Sequence, residues 1–140
     1  MPARSRSSTA APKPLDEKIS INLGYVDLGQ IDLLVQEGFY GNRTDLIRTA
    51  IRTQLASHGD ALKHAVARKT LVLGIQHFSA ADLQAVKAAG QALQIRVLGL
   101  ASIAPDVSPK LALAAIESVV VLGALHASPA VKAALAGRIR

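Results

Sequence analysis

The residue types that most often perform catalysis or bind metal ions are scarce in this chain. It contains no Cys and four His residues, His58, His64, His77 and His126. His77 and His126 each stand three residues after a Gly, in equivalent turns two strands apart, and a strand spacing of ~4.8 Å separates such turns by roughly 10 Å. Within one chain that distance is too long to share a metal ion. No P-loop, dinucleotide-binding or serine-nucleophile motif occurs. We therefore predict a protein that is not an enzyme, with no catalytic residue, no metal and no cofactor.

A different chemistry is offered by the short segment "KISINL", residues 18–23. Alternate side chains are hydrogen-bonding groups, and those between them are aliphatic. The first set is Lys18, Ser20 and Asn22, and the second is Ile19, Ile21 and Leu23. This alternation predicts a half-buried β-strand. A lone strand with two open edges is unstable in water, and the next forty residues show no strand that could pair with it.

Two amphipathic helices are predicted after this strand. In "DLGQIDLLVQEG" the apolar residues recur at helical spacing after Asp27, which we predict as the N-cap, and Gly38 or Gly41 ends the helix. In "NRTDLIRTAIRTQLA" the N-cap is Asn42, and Asp45 three residues later gives a start like a capping box.

The order strand, helix, helix over residues 17–57 resembles the ribbon-helix-helix domain of the CopG/Arc/MetJ superfamily. The matching features are the alternating strand, the Gly-containing turn "EGFYGN" and the "NRTDLIRTAI" opening of the second helix. The resemblance implies that the strand pairs with its twin from a second chain, antiparallel about a two-fold axis. It also implies an intertwined dimer core, to which we assign Ile19, Ile21, Leu23, Leu46, Ile47 and Ile51.

The same resemblance implies double-stranded DNA as the partner. A two-stranded ribbon fits the major groove, where Lys18, Ser20 and Asn22 are the expected base-contacting residues. The start of the second helix is expected to bind phosphate through Asn42, Arg43 and Thr44. The chain departs from a simple basic binder because its first helix carries the acids Asp27, Asp32 and Glu37.

The net charge of +6 is unevenly distributed. Residues 1–62 carry seven Lys or Arg and seven Asp or Glu, whereas residues 63–140 carry nine and three. Charge alone therefore points to the second half as the polyanion-binding part, and the residue pattern points to the first. We expect residues 1–16, rich in Pro, Ser and Ala, to be a flexible basic arm whose Arg4, Arg6 and Lys13 contact phosphate. Residues 58–69 are expected to be a helical connector.

Residues 70–140 contain a repeat. The tripeptide Val-Leu-Gly begins at Val72, Val97 and Val121, and each copy is followed by a turn and an Ala-rich stretch. The predicted helix starts are a capping box of Ser79 with Asp82 and the Ser-Pro pairs at 108–109 and 128–129. This pattern predicts three stacked strand–helix units with parallel strands and the helices on one side. A plain three-stranded α/β domain with chance recurrence is the alternative.

The last strand of this repeat, in "SVVVLGAL", is the most apolar of the three. An open apolar edge of this kind aggregates unless it is covered, and the simplest cover is another subunit. We therefore predict an oligomerisation edge at Val119, Val120, Val121 and Leu122, and an assembly domain that makes tetramers or larger forms.

Together these patterns predict an α+β protein. Its N-terminal part is a ribbon-helix-helix dimer, and its C-terminal part is a short, solenoid-like parallel β/α repeat. The expected function is a sequence-specific, repressor-like transcriptional regulator, cytoplasmic and nucleoid-associated, with no membrane partner. An antitoxin whose second half binds a toxin, and a polymerising structural or nucleoid scaffold, are the alternatives.

Overall fold

The computed structural model describes residues 15–140, so the predicted phosphate contacts of Arg4, Arg6 and Lys13 lie outside the described residues. The described part confirms the predicted α+β class. Its elements, in chain order, are α1 Tyr25–Gln36, α2 Arg43–Ser57, α3 Gly59–Arg68, β1 Val72–Phe78, α4 Ala80–Ala88, β2 Leu93–Ile103, α5 Pro109–Ala115, β3 Ile116–His126 and α6 Pro129–Leu135.

The two N-terminal helices begin differently. Helix α2 starts as predicted, because the Asn42 side-chain oxygen accepts a hydrogen bond of 2.8 Å from the amide of Asp45. The predicted N-cap of α1 was wrong, since that helix begins at Tyr25 after Gly24, which has no side chain to cap it. Asp27 lies instead in the first turn, where its carboxylate still interacts favourably with the positive end of the helix dipole.

The three predicted helix starts of the C-terminal part are confirmed. Ser79 and Asp82 form the full capping box, with reciprocal bonds of 2.9 and 3.1 Å between each amide and the other's side chain. The hydrogen bond from the Ser79 amide, followed by that from its side chain, holds the pKa of Asp82 below its ordinary value. Ser108 and Ser128 cap α5 and α6, each with Pro at the first helical position.

The three strands form one parallel sheet in the order β1-β2-β3, which confirms the predicted parallel neighbours. Helices α4, α5 and α6 pack side by side over one face of this sheet. The core between the two layers consists of buried aliphatic residues, chiefly Leu83, Ile95, Val97, Ile116, Val119, Val131 and Leu135. Ala112 and Ala115 are also fully buried, and their small side chains let α5 approach the sheet closely.

The glycines of the three Val-Leu-Gly copies lie beside one another, Gly74 paired with Gly99 and Gly99 with Gly123. Their φ angles are 126°, 139° and 121°, a region that L-residues with a side chain rarely adopt. A Cβ on Gly99 would lie 2.1 Å from the carbonyl oxygen of Gly74, and one on Gly123 would lie 2.1 Å from that of Gly99. Close strand packing therefore requires glycine at positions 99 and 123, and the positive φ favours it at position 74.

The C-terminal residues return to the outer edge of β3. The Val119 amide donates to the carbonyl of Arg138, and the Arg140 amide donates to the carbonyl of Val119, both at 2.9 Å. Val119 is fully buried, and of the four residues assigned to an oligomerisation edge Leu122 is the exposed one, at 50 %. The hydrogen-bonding positions at Val119 are thus already filled by the chain itself, and an edge contact is left only with the later part of β3.

Candidate nucleic-acid interface

The N-terminal part of the chain has no sealed core of its own. Helix α1 packs against α2, yet no residue between 15 and 70 is buried. Ile19 and Ile21 are 74 % and 61 % exposed, and Ile51 and Leu55 of α2 are about half exposed. Leu46 and Ile47 are only partly buried. A single chain therefore leaves aliphatic residues of the predicted strand and of both helices in contact with water, as expected of a surface that another molecule covers.

The predicted ribbon segment ends at Gly24, whose φ of −64° and ψ of 154° are those of extended backbone. Residues 17–24 pair with no strand of the same chain in the part that the structure describes. Lys18, Ser20 and Asn22 are all exposed, so their side chains are available to a ligand. The backbone groups of this segment are equally available to a second strand.

The start of α2 is the second component of the interface. The Asn42 side chain accepts from the Asp45 amide, and an Asp45 carboxylate oxygen accepts from the Gly41 amide at 3.0 Å. The amides of Arg43 and Thr44 are the first two of the helix, and such amides have no carbonyl partner within it. With the helix dipole they suit an anion such as a phosphate oxygen.

Arg43 itself is engaged with α1. Its Nε donates to one carboxylate oxygen of Asp32 at 2.7 Å, and its Nη2 donates to the other at 2.8 Å. The hydrogen bonds from Arg43, helped by its positive charge, lower the pKa of Asp32. Sequence reasoning missed this pair. The feature that could have indicated it is the acidic residue Asp32 on the first helix, which we interpreted only as a departure from a basic surface.

We expect Asp32→Asn to strengthen duplex binding at low salt, because it frees Arg43 for a phosphate. The slope of log K against log salt should steepen by about 0.9 for each added phosphate contact, or about 1.8 for a dimer that gains one contact in each chain. Fluorescence anisotropy with a labelled duplex at several salt concentrations measures it. Asp27→Asn is the control, since it removes the same charge from the same helix without releasing Arg43. Equal slopes for the two variants would mean that Arg43 does not reach phosphate.

The two sheet histidines flank a serine at the end of the sheet. His77 Nδ1 lies 3.2 Å from Ser102 Oγ, and Ser102 is paired across the sheet with His126. Within residues 15–140 no group of three or more potential metal ligands occurs. No helix in the same range is long and apolar enough to cross a bilayer.

A match to a family of known proteins assigns the class of this chain. Residues 14–132 match the model of the ribbon-helix-helix transcriptional regulator family, and the chain therefore belongs to that family. The match confirms the resemblance seen in residues 17–57 and extends it across most of the C-terminal sheet and helices. Searches of the curated proteins and of the solved structures returned no match.

Proposed function

We propose that this protein is a site-specific, repressor-like regulator that binds double-stranded DNA through a ribbon made by two chains. The observation that supports it most directly is the exposure of both sides of residues 17–24 in a region with no buried residue. One side is aliphatic and needs a protein cover, while the other presents hydrogen-bonding groups. Antiparallel pairing with a second chain would give the backbone groups of this segment hydrogen-bond partners. The same pairing would cover its aliphatic side.

The paired ribbon would carry two copies of Lys18, Ser20 and Asn22 on one surface. The major groove is ~12 Å wide and admits such a ribbon, and its base edges form a distinguishable pattern of donors and acceptors. Lys18 can donate to guanine, Asn22 can pair with adenine through two hydrogen bonds, and Ser20 can serve either base. The two-fold axis of the protein dimer then requires two related half-sites in the DNA.

The start of α2 would fix the position of the ribbon in the groove. Its free amides at Arg43 and Thr44, with Asn42 as cap, form a phosphate site in each chain. The arm residues Arg4, Arg6 and Lys13 would add contacts that depend on salt and not on sequence. Residues 70–140 would join the dimers into tetramers or larger forms.

Replacing the groove-facing polar residues tests this proposal. Lys18→Ala and Asn22→Ala should each weaken binding to the preferred duplex by about 1–3 kcal/mol, or roughly 5- to 150-fold, and leave the dimer intact. Lys63→Ala is the matched control, because Lys63 is an exposed lysine on α3 and is not part of the ribbon segment. Anisotropy gives the affinities, and light scattering gives the mass.

Two results would count against the proposal. If Lys18→Ala and Asn22→Ala bind as the wild type does, the ribbon does not read the bases. If the wild type binds no duplex even at low salt but still assembles, the ribbon is only a dimer contact and the protein is a scaffold.

A further inference from the structure

The sheet has one face without a cover in the described chain. Residues Val97 and Ala101 of β2 point into the core, so the alternating residues Leu98 and Leu100 lie on the opposite face. Parallel sheets are found almost only with both faces covered, because their strands are apolar on both sides. Helices α4, α5 and α6 cover one face here, and the other lacks an equivalent layer.

The exposed side chains show how apolar this open face is. Two rows cross the three strands, as the strand register requires. They consist of Leu73, Leu98 and Leu122 in one row and Ile75, Leu100 and Ala124 in the next. Leu73 and Ile75 are 72 % and 62 % exposed. His77, Ser102 and His126 border these rows at one end, and Gln94, Ser118 and Arg96, with Val120 beside Arg96, border them at the other. An apolar centre with a polar rim is the usual composition of a protein–protein interface.

Within residues 15–140 the chain covers this face poorly. Leu15, Asp16 and Glu17 lie beside part of it and line with it an open pocket of ≈ 440 Å³. Leu15 remains 77 % exposed, so it fills neither row. Asp16 and Glu17 are acidic, and Leu15 alone cannot supply the aliphatic layer that the two rows require.

We propose that the open face packs against the same face of a second copy of this chain, as two sheets face to face. This inference rests on the proposed two-chain regulator and specifies the contact by which its C-terminal parts assemble. The six central side chains are all aliphatic and carry no charge that would select a different partner. Such a patch is self-complementary about a two-fold axis. The beginning of the β3 edge, in contrast, is already hydrogen-bonded to residues 138 and 140.

The size of the face agrees with a contact between chains that are already joined. Three strands ~4.8 Å apart, with up to eleven residues rising ~3.3 Å each, give a face on the order of 400–500 Å² per copy. The total is close to the ~1,000 Å² that marks the lower end of biological interfaces. A contact of this size is weak between free molecules and becomes strong when the ribbon raises the local concentration of the partner.

Cross-linking of single-cysteine variants of the full chain tests the contact directly. The protein has no Cys, so Leu100→Cys on the open face gives one thiol per chain. A bifunctional thiol reagent that spans the ~10 Å between packed sheets should then yield two-chain products. The control is Leu113→Cys, an exposed leucine on α5 in the helix layer. Cross-linking at Leu100 and not at Leu113 supports the contact, and absence of products from both overturns it.

A charge variant separates this inference from the proposed function. Leu73→Glu combined with Leu122→Glu places two charges per chain at positions whose side chains are already exposed. The fold should therefore persist, which circular dichroism checks. Light scattering should show a smaller assembly than for Leu113→Glu, whereas low-salt duplex binding should remain. Unchanged mass for the Glu pair overturns face-to-face packing. If the wild type also binds no duplex at low salt, the result refutes the proposed function and not the face-to-face contact.

Discussion

Gly99→Ala should be among the most destabilising single substitutions in this protein. The new Cβ would lie 2.1 Å from the Gly74 carbonyl oxygen, and φ at this position is 139°. The clash is between β2 and the backbone of β1, so it can be relieved only by separating these two strands. We expect a loss of at least about 4 kcal/mol in the free energy of unfolding of the C-terminal part, a size confined to severe core defects. Urea denaturation followed by circular dichroism measures it.

Gly74→Ala separates the clash from the backbone strain. Gly74 has a similar φ of 126°, but a Cβ there meets no atom within 4 Å. In this variant the free energy of unfolding should fall only by what the unfavourable φ costs an alanine, about 1–3 kcal/mol. Equal losses for Gly74→Ala and Gly99→Ala would show that close strand contact is not what requires glycine in the row.

The second large effect is expected at the aliphatic side of the ribbon. Ile21→Asp should prevent dimer formation and abolish duplex binding, because it places a charge where two chains must bury aliphatic side chains. The loss of dimer is expected to be complete at micromolar concentration, since residues 15–70 have no buried residue to hold a single chain in shape. Sedimentation velocity of the full chain distinguishes dimer from monomer, because the contact through the open face of the sheet is weak between free molecules.

The adjacent residue provides the control. Ser20→Asp adds the same charge on the opposite side of the same segment, facing the predicted groove. It should leave the dimer intact and weaken duplex binding by repelling phosphate. If Ile21→Asp remains dimeric, the strand does not pair as the family resemblance implies.

The features that the sequence predicted correctly are local ones. The caps at Asn42, Ser79, Ser108 and Ser128 depend on a side chain and an amide three residues away, and all four occur in the structure. The parallel register follows from the repeated Val-Leu-Gly, because glycines that need close strand contact must lie side by side.

The features that the sequence did not predict depend on distant residues. The bond from Arg43 to Asp32 crosses the turn between two helices, and the bonds from the C-terminal residues to Val119 join segments about twenty residues apart. Nothing in the local pattern of "AGRIR" indicates an added strand position. The sequence pattern did not separate the two possible places of Asp27. An acidic side chain is favoured both at the N-cap, where it accepts from free amides, and in the first turn, near the positive end of the helix dipole.

The candidate site was predicted only in part, for a physical reason. Alternation identified the two sides of residues 18–23, yet the partner strand belongs to another chain, and no pattern within one sequence contains it. Likewise, the open face of the sheet follows from strand order and helix placement, which the repeat indicated only in outline.

Selection of bound duplexes from a random pool by the full chain, repeated with Lys18→Ala combined with Asn22→Ala, is the most direct test of the two-chain ribbon. We predict that the wild type enriches a sequence with two related half-sites and that the double variant loses that enrichment while keeping low-salt binding. Enrichment of the same sequence by both proteins, or of none by the wild type, would contradict base reading by the ribbon.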